Sequence, residues 1–201
     1  DFTGNLIYTI NSNLSDPWDV AVDSNLNIIY VSDRGSSSVK KFNSQTGEYI
    51  GVFATVSEPK QIGVDNSGKV YVGSWSTYGQ NYVRVFNSGS TQLDPIPVNP
   101  IYALEVGHGK LFISNFLTPT DQPWVVRAYS SSGSFLNYIG STEHAYATSA
   151  QDTHSGPYCI GVYNSKVYVC EQNGQQIKIF SLTGNLEKII DSPSTDGLDY
   201  A

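Results

Sequence analysis

The sequence holds no methionine, two cysteines and three histidines in 201 residues, and 14% of it is charged. So small a stock of thiol and imidazole leaves little material for nucleophilic or metal chemistry. Lys and Arg number 11 against 18 Asp and Glu, a net charge of -7. That balance argues against nucleic acid and anionic membranes, which attract Lys/Arg-rich surfaces. No apolar run approaches about 18 residues, so no segment reads as a spanning helix. No segment combines sustained helical periodicity with capping residues. The chain starts at Asp1 with no leader, which reads as a processed chain or a window of a longer one. What is abundant is Gly, Tyr and Ser among short apolar runs, in a chain long enough for one domain with a sizeable core.

Those runs repeat with a period near 41 residues. Four units begin at Pro17, Pro59, Pro100 and Pro157, and the third carries an insertion, "STEHAYATSAQDTHSG". Each unit contains four short runs separated by turn residues. The second run reads "IYVSD", "VYVGS", "LFISN" and "VYVCE", and the third "VKKF", "VRVF", "VRAY" and "IKIF". Both are rich in β-branched and aromatic residues, so each unit is expected to be four antiparallel strands, a to d. Units of this length with apolar residues on both faces are covered when they stack as blades of a β-propeller. The expected fold is therefore all-β: one domain, 1–201, with four complete blades at about 17–58, 59–99, 100–156 and 157–196.

The ends extend the pattern. "TGNL" at Thr3 repeats at Thr183, and "DPWDVA" at 16–21 is echoed by "DGLDYA" at 196–201. Residues 3–10 are expected to be a strand d and 197–201 the start of a strand a, two parts of an incomplete blade. Three arrangements fit: a window of a five- or six-bladed ring, a subunit completed by another copy through strand exchange, or a small ring with irregular ends.

At the residue level the pattern Pro-x-x-(Ile/Val)-(Ala/Gly)-Val-Asp, Tyr-Val-x-Asp, Val-(Lys/Arg)-x-Phe, Thr-Gly resembles the NHL-repeat β-propellers. The first unit carries it most fully, through Pro17, Val20, Ala21, Val22, Asp23, Tyr30, Val31, Asp33, Val39, Lys40, Phe42, Thr46 and Gly47. The resemblance implies the propeller fold. It leaves function open, because the family spans scaffolds, ligand binders, RNA binders, lyases and metal-dependent hydrolases.

The cysteines lie in "PYCIGVYNSKVYVCEQ". If Asn164-Ser165 is a two-residue hairpin turn, Tyr163 pairs with Lys166 and Cys159 falls opposite Cys170, within disulfide reach. That register makes them a hydrogen-bonded pair, whose wider spacing suits a disulfide less well; two reduced core thiols are the alternative. A disulfide implies an oxidising compartment, and Asn13-Leu14-Ser15 is a glycosylation sequon. Both point to an extracellular or cell-surface protein.

In a propeller, the d-to-a and b-to-c loops share one rim. Here they collect Trp18, Asp19, Asp33, Arg34, Trp75, Tyr78, Phe116, Trp124, Tyr158, Glu171 and Gln172, a candidate surface for a protein or glycan; packing of the Trp rings into the seams between blades is the competing role. Ends of strand b (Asp33, Ser74, Asn115, Glu171) and basic positions of strand c (Lys40, Arg84, Arg127, Lys178) form two columns expected to pair structurally. "DSNLN" at Asp23 starts like a calcium loop but lacks its sixth-position Gly, and Arg34 replaces the terminal Glu, so a solvated turn is expected. His108 in "GHGK" reads as an exposed turn residue. Glu143, His144, Asp152 and His154 of the insertion lack a ligand spacing. No catalytic residue, metal or cofactor is assigned. The leading expectation is a non-enzymatic extracellular interaction module, with self-association through the incomplete blade as a further route. The alternative is a propeller-type lyase or hydrolase with a metal in the channel, near Asp19, Glu105 and Asp199.

Overall fold

A computed structural model describes residues 3–74, 82–98, 101–115, 125–140, 157–171 and 176–191. They form four four-stranded antiparallel sheets joined by turns, each in the order a-b-c-d. The first holds β1 (Pro17–Asp23), β2 (Ile28–Asp33), β3 (Ser38–Asn43) and β4 (Tyr49–Thr55). The second holds β5 (Pro59–Val64), β6 (Val70–Ser74), β7 (Tyr82–Phe86) and β8 (Ile96–Pro97). In the third are β9 (Ala103–Gly107), β10 (Lys110–Asn115), β11 (Val125–Ser130) and β12 (Phe135–Ile139). The fourth comprises β13 (Pro157–Tyr163), β14 (Lys166–Glu171), β15 (Gln176–Ser181) and β16 (Leu186–Asp191). Among the described residues the helical content is one short 3-10 turn, Arg34–Ser36, and no helix is long and apolar enough to cross a membrane.

The chain forms two compact units, Asp1–Ile96 and Pro97–Ala201. In the first, Ala21, Tyr30, Val39, Phe53 and Val56 of blade one pack on Ile62, Val70, Val72 and Phe86 of blade two. Phe53 links the two blades edge-on, 4.9 Å from Tyr30 and 5.8 Å from Phe86 between ring centroids. Strand a sets a small residue opposite a tyrosine: Ala21 lies opposite Tyr30, Gly63 opposite Tyr71 and Gly161 opposite Tyr168. In the first blade, Ala21 leaves room for the Tyr30 ring on the face that packs against the second; a Cβ at Gly161 would meet nothing within 4 Å. In the second unit, Phe112, Val126, Ala128 and Ile139 meet Val167, Val169 and Phe180. These apolar seams are the main stabilising contacts of each unit.

Two turns set register. His108-Gly109 and Asn164-Ser165 both have positive φ at each residue (51° and 68°, 49° and 59°), which two-residue I′ hairpins require. Tyr163 therefore pairs with Lys166 and Cys159 with Cys170. The cysteines form a disulfide with 5.2 Å between Cα atoms. It closes a loop of sequence separation 11, so Cys159→Ser with Cys170→Ser is expected to cost about 2–3 kcal/mol by loop-closure entropy. Urea unfolding with and without reductant checks this. Equal midpoints would remove the disulfide from the stabilising contacts.

Residues 3–16 form no strand, unlike the strand d expected over 3–10. Among the described residues this segment has no partner ladder, and a strand needs one. It is held instead by side chains. Tyr8 donates through its hydroxyl to the Ser44 carbonyl at 2.7 Å, and the segment's far end is clasped at Asp33, as described below. Residues 197–201, expected as the start of strand a of the same blade, lie outside the described residues.

Candidate functional site

Strand a does not enter its sheet smoothly. Register shifts fall between Pro17 and Asp19, between Pro59 and Ile62, and between Pro157 and Cys159. In the first and fourth blades the residue left out of the ladder is Trp18 and Tyr158; in the second it is Lys60 with Gln61. Such β-bulges re-aim side chains. Trp18 and Tyr158 are each 47% exposed. In the third blade Tyr102 stands immediately before β9, its backbone N–H bonded to the Ser114 carbonyl at 3.0 Å.

These residues meet in neighbouring blades of each unit. Within the first, Lys60 Nζ lies 4.6 Å and the Arg34 guanidinium 4.9 Å from the Trp18 ring, cation–π contacts that fix the indole. Arg34 is held in turn by Asp16, at 2.7 Å through Nε and 2.6 Å through its terminal nitrogen. Burial, then the nearby Arg34 charge, pushes the Lys60 ammonium below its ordinary range, against the pull of Glu58. Within the second unit, the Tyr102 and Tyr158 rings lie 5.8 Å apart. Burial and its tyrosine neighbour raise the Tyr102 phenol.

Asp19 is half-buried. Its carboxylate accepts the Val20 N–H at 2.8 Å and, across to the second blade, the Ile62 N–H at 2.9 Å. Burial raises its pKa, with those two N–H bonds opposing. Ser32 completes the link by donating to the Lys60 carbonyl and accepting the Asp19 N–H at 3.0 Å. The backbone under Trp18 and Lys60 is thus tied together by side chains of the first blade.

Asp33, a rim candidate by sequence, has a fully buried side chain. It accepts from the backbone N–H of Ser15 (3.1 Å) and Asp16 (2.7 Å), from Ser36 Oγ (2.6 Å) and from Lys40 Nζ. Burial opposes its ionisation. The bonds from Lys40, Ser36 and the two amides outweigh it and hold the carboxyl at about 2. Lys40 also donates to the Asn13 carbonyl, so the strand-b acid and strand-c base pair within this blade and clasp residues 13–16. Asn13 itself is exposed. Asp23 departs from the expected solvated turn: residues 24–27 are exposed, but Asp23 is 4% exposed. It lies on the face that packs against the second blade.

Trp75, Tyr78, Phe116, Trp124, Gln172, Asp199 and the insertion's Glu143, His144, Asp152 and His154 lie outside the described residues, as does the Glu171 side chain. His108 is exposed, and its Nε2 accepts the Ser165 N–H at 3.2 Å. Among the described residues no three His, Cys, Asp or Glu converge as metal ligands. Lys60 and Tyr102 were missed by sequence. Their signal is positional: aligned on Gly63 and Glu105, they occupy the place of Trp18 and Tyr158 in the repeat.

Stacked four-stranded blades with strand a leading each sheet define a β-propeller. Within that class, residues 14–42 match the NHL repeat family, the unit whose motif is most complete. No curated protein matches the chain in sequence. Among solved structures, the nidogen/laminin complex is similar over 94% of this chain and 69% of its own, with a TM-score of 0.69 and 12% identity. Hydrazine synthase of Kuenenia stuttgartiensis (TM-score 0.64, 12% identity) and a streptogramin B lyase (0.63, 13%) each align over 92% of this chain. The chain spans 52% and 58% of those two chains. At such identities the likeness is one of fold.

Proposed function

We propose that this chain is a non-enzymatic extracellular interaction module whose rim of bulge-presented residues binds a protein or glycan partner. The observation that carries this reading is the recurrence of the bulge with Trp18 and Tyr158, each 47% exposed, at its crest, and with Lys60 buried against the Trp18 ring. Aromatic rings beside cations have the composition of binding hot spots, large in area and low in entropy cost. The disulfide and the exposed sequon at Asn13 support the extracellular placement.

Laminin, named with one structural neighbour, is the first protein probe, and a printed array of neutral and acidic oligosaccharides the first glycan probe. Trp18→Ala is expected to weaken binding to the recognised probe by roughly 10-fold or more, as truncation of a hot-spot aromatic does. An exposed site away from the bulges, Thr46→Ala, should leave it unchanged. Identical binding by wild type and Trp18→Ala would remove the rim from recognition. A stoichiometric, tightly bound metal in the purified protein would overturn the non-enzymatic reading.

A further inference from the structure

The first two blades repeat one buried polar pair, but only the second blade closes it directly. In blade two, Tyr71 Oη donates to Asp65 Oδ2 at 2.9 Å. Burial, and then Asp65, push that phenol well above its ordinary range. In blade one, Tyr30 lies opposite Ala21, as Tyr71 lies opposite Gly63, and Asp23 follows two residues along the same face. Tyr30 is 0% and Asp23 4% exposed. Yet Tyr30 Oη and Asp23 Oδ2 are both without a hydrogen-bond partner.

The a–b turns of the two blades differ in length. Asp23 pairs with Ile28 across residues 24–27, whereas Asp65 bonds to Lys69 across the shorter 66–68. Asp23 commits its other oxygen to two amides of the longer turn, Asn25 at 2.9 Å and Leu26 at 3.1 Å. Tyr30 and Asp23 share one face of the sheet, in the diagonal register that brings Tyr71 and Asp65 together in blade two; burial, and then the Asp23 charge, raise the Tyr30 phenol.

The chemistry of the pair restricts what can join it. A phenol has a proton to give, and a carboxylate can only accept. The bridging group must accept from one and donate to the other. A bare cation would serve the carboxylate and leave the phenolic proton unpaired. The second blade comes close to the carboxylate at a glycine. At Gly68 (φ 79°), a Cβ would stand 3.5 Å from Asp23 Oδ2 and 3.3 Å from Ser88 Cβ, and glycine keeps that spot clear. The Asn25 side chain reaches the Asn66 carbonyl at 3.4 Å, tying the two turns across the same seam.

We propose that this seam binds one ordered water molecule, which accepts from Tyr30 Oη and donates to Asp23 Oδ2 beside Gly68. It is a structural ligand of the first two blades. It replaces the direct Tyr–Asp bond where the a–b turn is one residue longer. Buried waters of this kind satisfy otherwise unpaired polar groups and are part of the structure.

A high-resolution crystal structure of the full 201-residue chain tests this. The expected result is one spherical density peak within hydrogen-bond distance of both oxygens, lost or weakened in a Tyr30→Phe variant whose Asp23 stays in place. A direct Tyr30–Asp23 bond, an empty gap, or a peak ringed by six or more oxygens at metal distances would overturn it. So would a peak unchanged in Tyr30→Phe, because the phenol would then hold nothing. In solution, the same site should give a water-selective nuclear Overhauser effect to the Tyr30 ring, and its absence in wild type would count against the proposal.

Discussion

Asp33→Ala is expected to lower the unfolding free energy by about 3–5 kcal/mol, the usual result of removing one partner from a buried ion pair. The substitution strands Lys40, 9% exposed, without its carboxylate. It also frees the backbone N–H groups of Ser15 and Asp16 that Asp33 holds. Asp33→Asn keeps the acceptor oxygen and should lose less. Replacing Asp33 and Lys40 together by leucines should recover much of the loss, since a well-packed apolar pair often equals a buried ion pair. Urea denaturation checks all three. A loss below about 1 kcal/mol for the alanine variant would show that the clasp is solvated rather than buried.

The same carboxylate predicts a pH dependence. Its folded pKa, about 2, is depressed from the ordinary 3.8 of an aspartate. Its contribution is therefore fully present above the unfolded value and is lost as pH falls through the folded one. Linkage over that interval amounts to about 2–3 kcal/mol. Stability of the wild type should fall between roughly pH 4 and pH 2, and that component of the fall should be missing from the double-leucine variant.

Gly184→Ala is the second large effect, at about 2–5 kcal/mol from backbone strain and overpacking together. Gly184 has φ 94°, and a Cβ there would stand 2.2 Å from the Tyr138 carbonyl oxygen. The obstacle is backbone, so no side-chain rotation relieves it. Its own carbonyl accepts the Gly140 N–H at 3.0 Å, which holds the turn of the fourth blade against the end of β12. Thermal unfolding should show a marked drop in Tm. Gly51→Ala is the control: it also has positive φ, but a Cβ there meets nothing within 4 Å. If both variants fall equally, backbone conformation and not the close approach sets the cost.

Blades were readable from sequence because strand b is buried on both faces and its apolar code is dense, as "IYVSD" and "VYVGS" show. The Cys159–Cys170 pairing was readable because a two-residue turn leaves one register. The bulge before strand a was not. It is a backbone event just after the ladder pair made by the proline, and side-chain type does not mark it: the cation Lys60 takes the place that aromatic Trp18 and Tyr158 hold. Lys60 and Tyr102 emerge by lining up the repeats. Asp23 is hidden differently. Its turn looks polar and solvated, and its burial depends on a face that another blade covers. Residues 3–10 have the alternation of a strand, but a strand also needs a neighbour.

The crest residues of the bulges stand outside the hydrogen-bond ladder, and the sheet behind them stays the same whichever side chain they carry. Trp, Lys and Tyr already occupy equivalent places in one chain. The scaffold therefore separates foldability from specificity. A lineage could rewrite such a crest one blade at a time without revisiting the core, and an engineer could graft a new contact by changing position 18 in the first unit or position 158 in the second.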